Sequence, residues 1–75
     1  MIAKDYNLLL LAAERAIRTA LEDGEHKSHK SEWREQTIDG QLRHIEAHVT
    51  AYQCCDRSED HLSHILCRAA IACAL

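Results

Sequence analysis

The sequence predicts an all-α fold: a three-helix bundle, or a four-helix one if a short connector helix forms, completed by oligomerisation. Three observations predict it. Proline is absent and glycine occurs only twice, so the turn residues that a sandwich or barrel needs are missing. Hydrophobic residues make up 47% of the chain, without low-complexity runs, which argues against disorder. Long stretches repeat their apolar residues every three or four positions, the period of a helix. With 75 residues the chain is read as one helical domain, residues 1–75. A core of that size is marginal and is often reinforced by a partner subunit, a metal or disulfides.

The first helix is expected from about Asp5, a plausible N-cap, to Asp23, with Gly24 in the left-handed position after the last turn. Its apolar residues Leu8, Leu9, Leu10, Leu11, Ala13, Ile17, Ala20 and Leu21 wrap more than one face, which calls for more than one packing neighbour. A polar connector follows over 24–37, with a short helix expected around Glu32–Gln36. Trp33, the single tryptophan, sits there among charges and reads either as a packing anchor or as a platform for a ligand ring. The second helix is expected from about Ile38 to Cys54. Its stripe is Ile38, Leu42, Ile45, Val49 and Tyr52, at spacings of four, three, four and three. The third is expected to start at Ser58 as N-cap and to run to the C-terminus. Leu62, Ile65, Leu66, Ala69 and Cys73 form its expected core stripe. Ile71, with Cys67 and Leu75, lies on the opposite side and reads as a face for another subunit.

Charge and targeting bound the function. The formal net charge is -3, which argues against general nucleic-acid binding. The most apolar stretch, residues 7–13, is far too short for a membrane span, and no signal peptide is recognisable. The four cysteines, Cys54, Cys55, Cys67 and Cys73, contain no C-x-x-C spacing and read as reduced thiols of a cytoplasmic protein.

The polar residues carry the candidate chemistry. The six histidines fall into pairs: His26 and His29, His44 and His48, His61 and His64. A pair one turn apart suits a transition metal. The run His44-Ile45-Glu46-Ala47-His48 departs from the H-E-x-x-H of zinc proteases. His61, His64 and Arg68 share one helix face and would suit phosphate oxygens, with Arg68 as the bidentate partner. Glu32 and Glu35 are spaced three apart, as are Asp56 and Glu59. On facing helices the two pairs could converge on Mg²⁺. Each set also has an ordinary reading as a solvated helix edge.

The run Asp39-Gly40-Gln41-Leu42-Arg43-His44-Ile45, followed by Glu59-Asp60-His61-Leu62-Ser63-His64-Ile65-Leu66-Cys67-Arg68, resembles the phage and bacterial dATP/dGTP diphosphohydrolase family. That family belongs to the all-α, MazG-like nucleotide pyrophosphohydrolases. The likeness rests on its "A-x-x-R-H" helix, its acidic "G-E-D" stretch and its "H-L-A-H-A". Gly24 to Trp33 is similar to its "G-x-K-Y-G…N-W" segment, with Lys27 and Trp33 in register. Ser28-His29 stand in place of the Tyr-Gly, and Glu32 in place of the Asn. The likeness spans about residues 20–75.

The resemblance implies Mg²⁺-dependent cleavage of a (deoxy)nucleoside triphosphate to monophosphate and pyrophosphate. It implies Glu32, Glu35, Asp56 and Glu59 as the catalytic, metal-holding acids, the second pair in reversed order. Arg43, His44, His61 and His64 match the family motif and, with Arg68 and Trp33, are the expected substrate contacts; Tyr52 is a second surface for the base. The expected partners are a nucleotide and further copies of the chain, as a dimer or tetramer. Two alternatives stand beside this. One is a non-catalytic small helical oligomer that binds or sequesters a nucleotide or a partner protein. The other is a structural Zn²⁺ held by histidines and cysteines, for which spacings such as Cys54 or Cys55 with His48 or His61 would be irregular.

Overall fold

A computed structural model describes the backbone of residues 3–28 and 33–75, and the side chains of 5–24 and 33–75. Among the described residues the architecture is all-helical: α1 (Ala3–Ser28), a single 3₁₀ turn η1 (Trp33–Glu35), α2 (Ile38–Gln53) and α3 (His61–Ala74). The helix α3 packs against both α1 and α2. No helix is long and apolar enough to cross a membrane among the described residues.

Local chemistry explains the boundaries. Thr37 starts α2: its hydroxyl accepts the Gly40 amide at 2.9 Å, supplying one of the amides that a helix start leaves unpaired. The helix ends in a Schellman turn. The Cys55 amide donates to the Tyr52 carbonyl and the Asp56 amide to that of Ala51, while Cys55 takes a left-handed φ of 67°. That position usually holds glycine. Arg57 closes the loop by donating to the Tyr52 carbonyl at 2.9 Å and lying over the Tyr52 ring.

Four boundaries differ from expectation. The helix α1 includes Ala3, so Asp5 lies in its first turn and is not its N-cap. Gly24 does not end α1, and no glycine has positive φ; the helix runs on to Ser28. A Cβ at Gly24 would meet nothing, so no close approach requires the glycine. Asp60, not Ser58, caps α3, accepting from the Ser63 amide and hydroxyl. Ser58 instead donates its amide to Asp56. The expected short helix around Glu32–Gln36 is the single turn η1.

The largest difference is the face that α3 turns inward. His61, His64 and Cys67 are buried, whereas Leu62 and Leu66 of the expected stripe are exposed at 55% and 38%. Cys67 and Ile71 line a cleft with Ile17, Leu21 and Trp33. Cys67 and Ile71, assigned to a second subunit, thus pack within the chain, while Leu62, Leu66 and Cys73 of the expected core stripe are exposed and Ile65 and Ala69 half-buried. The helix is apolar on both sides, so hydrophobicity alone does not fix its rotation. Polar partners do, because buried imidazoles need hydrogen bonds.

A second polar lock joins α2 to α3. Gln41 is fully buried. Its amide donates to the Gln36 side-chain carbonyl, and Arg68 donates to Gln36 at 2.9 Å and to Gln41 at 3.1 Å. On α1 every residue from Asp5 to Ala12 is exposed, including Leu8, Leu9, Leu10 and Leu11. The neighbours expected to cover that apolar surface are not supplied by α2 and α3.

Candidate metal centre

Four segments converge on one cluster. Asp23 comes from α1, His48 from α2, Asp56 and Glu59 from the loop after α2, and His61 and His64 from α3. The Schellman turn sends the chain back sharply enough for Asp56 to reach the next helix. Its carboxylate accepts from the Ser58 amide at 2.9 Å and from His61 Nε2 at 3.0 Å. His61 and His64 sit three residues apart, so both point to the same side of α3.

The contacts fix the protons. Hydrogen bonds from the Ser58 amide and hydroxyl, then that from His61, hold the Asp56 carboxyl down at about 2. It is therefore ionised near neutrality and only accepts. His61 Nε2 must carry the hydrogen, and a neutral His61 then presents a bare Nδ1. That atom faces His48 Nδ1 at 2.8 Å. Two ring nitrogens at that distance need a proton or a cation between them. His48 is held below its usual value, chiefly by burial and then by His64, so its imidazole stays neutral and suits metal binding. Beside it, the His64 ring stacks on His48 with centroids 5.0 Å apart, and its Nε2 donates to Asp23 at 2.9 Å.

Two ligand triads result. His48, Glu59 and His61 bring ligand atoms within 4.8 Å of one another, and so do Asp23, Glu59 and His64. In the first, Asp56 on the far nitrogen of His61 stands where an outer-shell carboxylate would orient that imidazole toward a metal. The side chains of His61 and His64 are 3% and 11% exposed, against 35% for Glu59, so the imidazoles form the inner wall and Glu59 stands at the rim.

Mg²⁺ takes mostly water, carboxylate and phosphate oxygens. The described residues assemble no all-oxygen set: Asp56 is engaged by Ser58 and His61, and Glu59 faces imidazoles. Mixed nitrogen and carboxylate donors suit Zn²⁺, Mn²⁺, Fe²⁺ or Co²⁺.

Of the expected acids, Asp56 and Glu59 lie in the cluster. Glu35 is exposed on η1 and joins neither triad, and Glu32 lies outside the described residues, as do the side chains of His26, Lys27 and His29. Of the expected substrate contacts, His61 and His64 form the cluster's inner wall. Arg68 is bonded to Gln36 and Gln41. Arg43 is exposed and paired with Asp39 at 3.0 Å. His44 is exposed one turn from His48, and the partial desolvation of its ring on α2, then Arg68, lowers its pKa. Trp33 is half-buried in the cleft with Ile17 and Ile71, with Arg34 over its ring. All four cysteines are free thiols, and none joins a metal-ligand group among the described residues.

The sequence carries no sign of a site role for Asp23, which lies 41 residues from its partner His64, and it pairs His48 with His44, or with Cys54 or Cys55 in the zinc alternative, rather than with His61 and Glu59. Three imidazoles within a 17-residue stretch that also holds Asp56, Glu59 and Asp60 are the available signal. No protein-family model matches the chain, and no curated protein or solved structure matches it.

Proposed function

We propose that this chain is a divalent-metal protein whose metal serves hydrolysis of a (deoxy)nucleoside triphosphate to monophosphate and pyrophosphate. One observation carries the metal: His48 and His61 present facing Nδ1 atoms at 2.8 Å beside Glu59. The substrate class rests on the likeness of residues 39–45 and 59–68 to the diphosphohydrolases.

In this reading His48, Glu59 and His61 hold the ion. A bound divalent ion supplies a water of lowered pKa and neutralises phosphate charge. Asp56 keeps the His61 ring in register and its Nε2 protonated. His44 and Arg43, both open to solvent on α2, receive phosphate oxygens. Arg68 contributes by holding Gln36 and Gln41 and through the field of its guanidinium. The test is incubation with each dNTP and Mn²⁺, Co²⁺, Zn²⁺ or Mg²⁺, with products separated by chromatography. Pyrophosphate released by the native chain, and lost on chelation and in Glu59→Gln, supports the reading; no product with any ion sinks it.

A second reading is a non-catalytic oligomer that binds a nucleotide or a protein. It is favoured by the polar interior, in which no buried side-chain nitrogen or oxygen lacks a partner among the described residues even without an ion. Self-association belongs to both readings. Leu8 to Leu11, Leu62 and Leu66 supply the apolar surface. A monomeric mass by sedimentation would overturn that part.

A further inference from the structure

We propose that the centre holds two divalent ions bridged by the carboxylate of Glu59, the second ion being clasped by Asp23 and His64. This rests on the metal reading above and extends it. The two triads share one residue, Glu59, and otherwise use different ligands. Glu59 Oε1 lies 4.0 Å from His64 Nε2, and the same carboxylate belongs to the triad of His48 and His61. A carboxylate has two oxygens and can give one to each ion. The rings of His48 and His64 are stacked at 18° with centroids 5.0 Å apart. Each brings a nitrogen to a different triad, so the two sites lie side by side rather than in competition.

The geometry needs little change to admit ions. Two imidazole nitrogens on one tetrahedral Zn²⁺ stand about 3.3 Å apart, against 2.8 Å between the Nδ1 atoms of His48 and His61. Side-chain adjustment of half an ångström suffices. His64 Nε2 and Asp23 Oδ2, at 2.9 Å, need a similar spread, and the Nε2 proton that Asp23 accepts must move to Nδ1 or leave to solvent as the ion binds. Paired ions about 3.5–4 Å apart are the arrangement that stabilises both the attacking and the leaving oxygen of a phosphoryl displacement. Asp23 belongs to α1, and every other ligand to α2, α3 or their loop. The second ion would therefore tie α1 to the rest of the bundle.

The test uses the purified full chain with Mn²⁺ or Co²⁺ alone, free of nucleotide. Equilibrium dialysis counts bound ions, electron paramagnetic resonance of the Mn²⁺ form reads their coupling, and circular dichroism checks that each variant is folded. The native chain should bind two ions with a spin-coupled spectrum. Asp23→Asn should retain one, uncoupled and held by the His48 site. His48→Gln should also retain one, and Glu59→Gln should lose both or bind them at least tenfold more weakly. A single ion, lost in His48→Gln and unaffected in Asp23→Asn, overturns the two-ion proposal and leaves the metal reading standing. Two ions without coupling overturn the bridge. No binding by the folded native chain overturns both.

Discussion

His48 on α2 and His61 on α3 meet through their Nδ1 atoms at 2.8 Å, and Asp56 takes the other nitrogen of His61 at 3.0 Å. The order carboxylate, imidazole, open nitrogen is the one by which proteins raise the basicity of a metal-binding histidine. Asp56→Asn removes the charge while keeping the shape. It should weaken binding of Co²⁺ or Zn²⁺ roughly 10–100-fold, with circular dichroism unchanged. Equal affinity in the variant and the native chain would show that His61 does not work as an oriented ligand.

The turn that delivers Asp56 carries strain. Cys55 adopts φ 67° in the position where glycine is the usual residue. A side chain in the left-handed region costs about 1–2 kcal/mol, and the greater freedom of glycine in the unfolded chain returns part of that. Cys55→Gly should therefore stabilise the protein by roughly 0.5–1 kcal/mol, measured as a raised urea midpoint at unchanged slope. A lowered midpoint would mean that the thiol makes contacts worth more than the strain.

Acid should weaken the fold in two stages. Burial, then Arg68, lowers the pKa of His44 from its usual 6.5, and burial, then His64, lowers that of His48. The unfolded chain then binds more protons, so stability falls as pH drops below about 6.5. The second stage belongs to the loop. Hydrogen bonds from Ser63 lower the Asp60 carboxyl, and those from Ser58 and His61 lower Asp56 to about 2. A depressed carboxylate stabilises above its unfolded pKa of about 4 and loses that contribution as pH falls through its folded value. Urea midpoints from about pH 8 to about pH 3 should fall in both ranges. His44→Gln should shrink the first fall and Asp60→Asn the second; a native midpoint flat across either range would contradict this account.

The sequence made the helices legible and hid the interior. The start of α2 at Ile38 follows from its stripe, and its end fell one residue from the expected Cys54. The rotation of α3 was not legible. Leu62 and Leu66 repeat like core residues, yet His61 and His64 turn inward because Asp56 and Asp23 wait there. Asp23 and His64 are 41 residues apart, and no local periodicity encodes such a pair. Asp56 and Glu59 were legible as a chemical pair because they sit in one short loop. Of their imidazole partners, His61 and His64 read in the sequence as phosphate contacts and His48 as half of a metal-suited pair with His44, since a histidine's acceptor or donor role depends on what faces it.

The buried amide of Gln41 predicts a stability loss away from the metal centre. It donates to Gln36 and accepts from Arg68, and of the three only Gln41 is fully buried. Gln41→Leu keeps similar bulk and leaves the guanidinium with one fewer acceptor. The cost should be about 1–3 kcal/mol, seen as a lower urea midpoint. A neutral result would mean that water or Gln36 alone satisfies Arg68.

Glu35 and Glu59 separate the two ways of assembling a catalytic site from these acids. The resemblance implies Glu35 as a metal-holding acid beside Glu32, whereas the imidazole cluster centres on Glu59 and leaves Glu35 exposed on η1. Both carboxylates are outside the polar lock of Gln36, Gln41 and Arg68, so either change to glutamine should leave the fold intact. If metal-bound water attacks the phosphate at the histidine cluster, Glu59→Gln should lower dNTP hydrolysis at least 100-fold, a loss of about 2.7 kcal/mol in transition-state stabilisation. Glu35→Gln should stay within about threefold of the native rate, a difference below about 1 kcal/mol. The reverse pattern would place the reaction at a carboxylate site that includes Glu35 and make the histidine cluster structural. Equal loss in both variants would mean that η1 closes over the cluster during turnover, with Glu35 supplying an oxygen that the described arrangement does not bring within reach.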